Sequence, residues 1–224
     1  MNISLAIVAA GVVPVGEVMP FLTEHITEQQ ITHISLTGRL TREEALEDYG
    51  AAPGEETVLT LLREGGLVPL SLNKVEQALQ RVIEVLDNQG YDVILVLGNG
   101  RYTRLSARNA MLLVPDRLIP PLIASIVEGH QVGILLPTPE PASFQQKKWL
   151  ELDNTPLYTP ADSLNDDSLL VGAGRKLVQR GADVLVLDSL GFHQHHCDLL
   201  QRMLDVPVLL SYMLLARLAS ELLV

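Results

Sequence analysis

The chain has 224 residues, enough to bury a sizeable core as one large domain or two small lobes. A net charge of −11 and only 4% aromatic residues argue against a nucleic-acid surface, which needs a basic stripe and rings for base stacking. One cysteine excludes an internal disulfide, the N-terminal stretch lacks the basic region of a secretory signal, and the uncharged stretch 206–216 is too short to span a bilayer. A cytoplasmic protein with no membrane contact is therefore expected.

In chain order, "ISLAIVAA" (3–10) predicts a buried strand and "GVVP" the turn after it. A helix near Glu17–Ile26 and a strand at Ile31–Leu36 follow. "TREEALEDYG" starts with a capping box, Thr41 with Glu44, and stops at Gly50, which predicts a second helix. "TVLTLLREGGLVPLS" (57–71) reads as a β-hairpin. Asn73 to Gln89 predicts a long helix with Asn73 as N-cap, Glu76 at N3, an apolar stripe through Val75, Leu79, Val82, Ile83 and Leu86, and Gly90 as its stop. "DVILVL", "QVGILL" (131–136), "DVLVLD" (183–188) and "VPVLL" (206–210) predict further strands. Helices are expected near 116–127, 166–180, 193–204 and 211–223. Strands alternating with helices imply βαβ units and mostly parallel sheets.

"NQGYDVILVLGNG" (88–100) and "QRGADVLVLDSLG" (179–191) align with Gly90/Gly181, Asp92/Asp183 and Val93/Val184 matched. Each pattern runs from a helix end through a strand into a glycine-containing loop. The expected fold is therefore α/β with two similar parallel-sheet lobes. The first lobe takes residues 1–115 and 208–224, with the hairpin as an insertion, and the second takes 116–207.

Ligands of open parallel sheets bind beyond the carboxyl ends of the strands. That rule nominates the loops Ala10–Pro14, Gly98–Arg104, Pro137–Pro139 and Asp188–His193, and within them Gly11, Asn99, Gly100, Thr138 and Gly191 as substrate-binding positions. In "GNGRYTRLSAR", a helix after Gly100 would set Arg101, Arg104 and Arg108 on one face. Arginine forks suit a small anion, which makes Arg101 and Arg104 candidate anchors; pairing with the plentiful surface acids is the other open reading.

"FHQHHC" gathers three of the six histidines with the only cysteine, Cys197. On a helix His193, His196 and Cys197 share a face, and His195 points elsewhere. A single crowded cluster with no second half is a poor match to a structural zinc site, so no metal is expected, and Cys197 reads as a packing residue. Ser189 has no GxSxG elbow. "GAGRK" (172–176) lies inside a helix, and neither a Walker A nor a GxGxxG pattern occurs, so no nucleotide or other cofactor is expected. Asp188 and Ser189 would sit at a strand end. His193 would start the next helix, as acid or base or only as a cap.

"NQGYDVIL", "SARNAMLLVPDRLIPPLIASIVEGHQVGILLP" and "GADVLVLDSLGFHQHHCDLLQRMLDVPVLLSYMLLARLASELLV" resemble the AroM family, and the likeness extends over the chain from "SLAIVAAGVVP" through "GRLTREEALEDY". The resemblance implies the aspartate/glutamate/hydantoin racemase-like superfamily, with two pseudo-symmetric parallel-sheet lobes and an interlobe cleft, and a link to aromatic amino-acid biosynthesis. Racemases of that superfamily use two opposed cysteines, in motifs of the form CNT and GCTH. The matching positions are Gly98-Asn99-Gly100 and Asp188-Ser189-Leu190; Asn99 is retained and neither cysteine is.

A two-thiol racemase mechanism is thereby excluded. A one-sided reaction remains, with Asp188 or His193 moving a proton and Ser189 hydrogen-bonding the substrate. Two functions are expected to compete. One is a cofactor-independent isomerase or lyase acting on a small carboxylate; the other is a non-catalytic small-acid-binding or regulatory module. A homo-oligomer is compatible with either.

Overall fold

The first unit of the chain comprises residues 1–117 and 215–224. Its elements run β1 (Leu5–Ala9), α1 (Val15–Leu22), β2 (Ile31–Ser35), α2 (Arg42–Tyr49), β3 (Thr57–Leu61), β4 (Leu67–Ser71), α3 (Leu72–Asn88), β5 (Val93–Leu97) and β6 (Met111–Leu113). Next, α4 (Pro115–Ile126) leads into the second unit, 118–214, with β7 (Val132–Leu136), β8 (Leu157–Pro160), α5 (Asp167–Gln179), β9 (Val184–Leu187), α6 (Gln194–Leu204) and β10 (Val208–Leu210). Last comes α7 (Ser211–Glu221), in which the chain returns to the first unit. This computed structural model describes all residues except 1–3, 14, 25, 99, 137–146, 161–165, 190 and 224. No helix of the described residues is long and apolar enough to cross a membrane.

Each unit holds one four-stranded parallel sheet, ordered β2-β1-β5-β6 in the first and β10-β9-β7-β8 in the second. All residues of β1, β5, β7 and β9 are buried, which is why these strands read as unbroken apolar runs rather than alternating ones. The antiparallel β3–β4 hairpin alternates instead: Val58, Thr60, Val68 and Leu70 point inward and Leu59, Leu61 and Leu67 outward. The stripe Val75, Leu79, Ile83 and Leu86 of α3 packs in one core with Ala6, Val8, Ile94 and Val96.

The matched dipeptides have a shared structural task. Gly90 and Gly181 each leave a helix at positive φ, 85° and 103°. The Asp92 carboxylate accepts the Ser4 N–H at 2.8 Å, and the Asp183 carboxylate accepts the Gln131 N–H at 2.8 Å. In both units an aspartate just before one strand clamps the start of its neighbour, setting the parallel register.

Several expectations need correction. The N-cap of α3 is Ser71, whose hydroxyl accepts the Lys74 N–H at 3.2 Å, not Asn73. The hairpin delivers Ser71 directly into the helix, which leaves Asn73 inside the first turn. The first helix covers Val15–Leu22 rather than reaching Ile26. Residue 208 is not the return to the first unit, because β10 pairs with β9 through Leu209↔Val186 in the second sheet. The short edge strands β6 and β8 were not expected, since three or four residues carry too little pattern.

Candidate functional site

In the second unit, β9 ends at Leu187 and the Asp188 N–H still reaches the Leu135 carbonyl at 3.2 Å. Strand alternation decides where Asp188 faces. A side chain at Gly133 would meet Leu177, Ala182 and Leu185, so Gly133 and its partner Leu185 turn toward α5. Ile134, Val186 and Asp188 therefore lie on the other face. Tyr158, paired with Ile134, lies there too.

Lys148 completes this group. Its Nζ stands 2.7 Å from Asp188 Oδ2, with the two side chains 14% and 5% exposed, and 5.5 Å from the centre of the Trp149 ring. The Tyr158 hydroxyl is buried and has no hydrogen-bond partner among the described residues. Burial, and after it the Asp188 charge, push this phenol up to about 12, so it stays a neutral hydrogen-bond donor through neutral pH. The carboxylate, with the ammonium paired to it, and the neutral phenol thus share one face of the sheet. Lys148 and Tyr158 were missed in the sequence, where no spacing rule connects 148, 158 and 188.

The loop that follows is tightly folded. Ser189 is buried, and its hydroxyl oxygen accepts the Gly191 N–H at 3.2 Å. His193 is the N-cap residue of α6, and its backbone N–H donates to Nδ1 of buried His196 at 2.9 Å. Cys197 is buried and donates its thiol to the Val208 carbonyl at 3.3 Å, a packing arrangement. His195 points away, into a 3.1 Å contact with Asp167.

In the first unit the nominated positions divide differently. The Gly11 carbonyl accepts the Ser35 hydroxyl at 3.0 Å, and a Cβ on Gly11 would run into Thr60 and the Leu61 carbonyl. A Cβ on Gly100 would run into the Tyr102 ring. Both glycines are demanded by close packing. Asn99 and Thr138, with Pro14 and the loop Pro137–Pro139, lie outside the described residues.

Residues 101–110 form no helix, so the expected stripe of Arg101, Arg104 and Arg108 does not exist. Two carboxylates of α3 hold the segment in an irregular course. Glu76 accepts the Arg104 backbone N–H at 2.7 Å and its Nε–H at 2.8 Å, while Asn73 Oδ1 accepts Nη2 at 2.6 Å. Asp87 accepts the N–H groups of Ala110, Arg108 and Asn109, and these bonds, that of Ala110 foremost, hold its carboxyl below the usual carboxylate range. Arg104 is thereby engaged by an internal acid. Arg101, half-buried, stands outside that network. The Tyr102 phenol is raised well above its ordinary value, first by burial and then by the charges of Asp116 and Glu76.

Two parallel-sheet units of this construction define the class: the fold is that of the aspartate/glutamate racemases. Glutamate racemase from Francisella tularensis, solved with D-glutamate, matches with a TM-score of 0.61 at 10% identity, over 99% of this chain and 81% of that one. Aspartate racemase from Picrophilus torridus matches with a TM-score of 0.56 at 15% identity, over 96% and 91%. Unliganded arylmalonate decarboxylase matches with a TM-score of 0.54 at 15% identity, over 99% and 92%. At such identities the likeness is one of fold. No curated protein sequence matches the chain. The family model described as AroM protein matches residues 5–223, and the chain belongs to the AroM family.

Proposed function

We propose that this protein is a cofactor-independent enzyme that moves a proton at the carbon beside a small carboxylate, as an isomerase or a lyase. The observation that carries the reading is the Lys148–Asp188 pair at the end of β9, 2.7 Å apart, with the Tyr158 phenol on the same sheet face. Support comes also from the fold, which serves glutamate racemase, aspartate racemase and arylmalonate decarboxylase.

The Lys148 ammonium is the group that attracts the substrate carboxylate and offsets the negative charge that grows as the adjacent carbon becomes a carbanion. In an isomerisation, Asp188 takes the proton from that carbon and a proton returns at the new position. In a decarboxylation, the bond to the carboxylate breaks, carbon dioxide leaves with the carboxylate carbon, and the electron pair stays on the remaining carbon. Tyr158 then donates its proton there and is reprotonated from water. Ser189 and His193, the other two candidate catalytic residues, adjoin Asp188 along the loop, and by the family resemblance Ser189 matches the position of a racemase thiol. Substrate contacts from Gly11, Asn99, Gly100, Arg101, Thr138 and Gly191 belong to this proposal as well; Arg104, held by Glu76 and Asn73, is left out of it.

The test is a thermal-shift screen of shikimate-type and amino-acid-derived acids, which also probes the link to aromatic amino-acid biosynthesis. Proton NMR of each hit in deuterium oxide follows. Solvent deuterium at the carbon beside the carboxylate, or loss of that carboxylate, is expected; the exchange should disappear in Asp188→Asn, and the decarboxylation should slow sharply in Tyr158→Phe. Acids that bind with neither change would mean a binding or regulatory module instead.

A further inference from the structure

The zinc reading of the histidine cluster failed in the sequence for want of a second half, and the fold supplies one. Asp167, the first residue of α5, meets the first turn of α6: its Oδ1 lies 3.1 Å from His195 Nε2. His196 adds a third donor. One ligand atom from each of Asp167, His195 and His196 can be chosen so that all three lie within 4.8 Å of one another. We infer that these residues form a binding site for a divalent transition-metal ion, zinc by the chemistry of the donors.

Two imidazoles and one carboxylate suit zinc and its first-row neighbours, whereas calcium and magnesium select oxygen alone. Metal–ligand bonds of about 2.1 Å at tetrahedral angles place ligand atoms about 3.4 Å apart. The Asp167–His195 edge already has that scale, and the other edges need to close by at most about 1.4 Å to reach it. Asp167 and His195 are free to do so, being 59% and 60% exposed, while buried His196 is the fixed point. Three protein ligands leave a fourth position for water.

Binding has a local consequence. His196 Nδ1 accepts the His193 N–H, and a neutral imidazole has one protonated and one bare nitrogen. Coordination through Nε2 therefore puts the proton on Nδ1 and replaces that bond, along with whatever else the ring touches. A net hydrogen bond is worth only about fivefold in affinity, too little to cancel a three-ligand site. The ion would staple α5 to α6 while releasing the His193 amide at the end of the loop that carries Asp188 and Ser189.

The experiment uses the full chain, stripped of metal, titrated with Zn²⁺ by calorimetry and with Co²⁺ by visible absorption. One ion per chain, the intense visible bands of tetrahedral Co²⁺ and a Zn²⁺-dependent rise in melting temperature are expected. His195→Gln and Asp167→Asn, both at exposed positions that leave the core alone, should each weaken binding by about tenfold or more, since even supporting groups of metal ligands matter that much. His33→Gln should leave it unchanged. Absence of stoichiometric binding, or equal affinity in His195→Gln, overturns the proposal.

Discussion

Lys148 and Asp188 form an ion pair 2.7 Å long whose two side chains are almost withdrawn from water. Removing the lysine alone strands a carboxylate in that setting. Lys148→Met should therefore cost about 3 kcal/mol in urea unfolding. The double variant Lys148→Met with Asp188→Leu should regain most of it, because no uncompensated charge remains. Equal midpoints for Lys148→Met and the parent would mean that the pair does not hold in solution.

Tyr158→Phe deletes a buried hydroxyl that has no hydrogen-bond partner among the described residues. Stability should change by less than about 1 kcal/mol. If the phenol is the proton donor, turnover should fall by about a hundredfold while acid binding persists. An unaltered rate in a folded Tyr158→Phe would remove it from the chemistry.

The same phenol predicts an alkaline signature. Its folded value of about 12 exceeds the ordinary 10.0, so the native state keeps a proton that the unfolded chain has lost. The stability this represents is complete below pH 10.0 and drains as pH rises to about 12. Tyr102 shifts in the same direction and adds to the loss. Unfolding followed across this window by the ultraviolet tyrosinate band should show a smaller decline in Tyr158→Phe than in the parent.

Glu76 is buried and draws on both the backbone and the guanidinium of Arg104, whose own side chain is 61% exposed. Arg104→Ala should cost about 1–3 kcal/mol by leaving that carboxylate short of a donor. Affinity for any acid found in the screen should stay as it was. Lost affinity at an unchanged melting temperature would instead assign Arg104 to the ligand.

Gly100 has no room for a side chain beside the Tyr102 ring, whereas Gly16 in α1 has nothing within 4 Å of its Cβ position. Gly100→Ala should lose about 1–3 kcal/mol through overpacking. Gly16→Ala should gain a few tenths to about 1 kcal/mol from helix propensity. Both are read from thermal melts, and a neutral Gly100→Ala would refute the packing argument.

Much of the fold was legible because its signals are local. Burial on both faces makes a parallel strand an apolar run, and a helix stop followed by a clamping aspartate is written in three consecutive residues, at Gly90–Asp92 as at Gly181–Asp183. The arginine stripe was misread for the opposite reason. Spacing along 101–108 permits a helix, but Glu76 and Asp87 on α3 accept the backbone N–H groups such a helix would need.

By itself the sequence determined the two parallel α/β sheets and Asp188 at a strand end. Only the tertiary structure decided that Lys148 faces Asp188, that Tyr158 shares its side of the sheet, and that Asp167 stands beside His195. Periodicity along one element says which way a residue points. What it meets there depends on sheet register and helix packing, which join residues 28 or 40 positions apart and leave no mark on either segment alone.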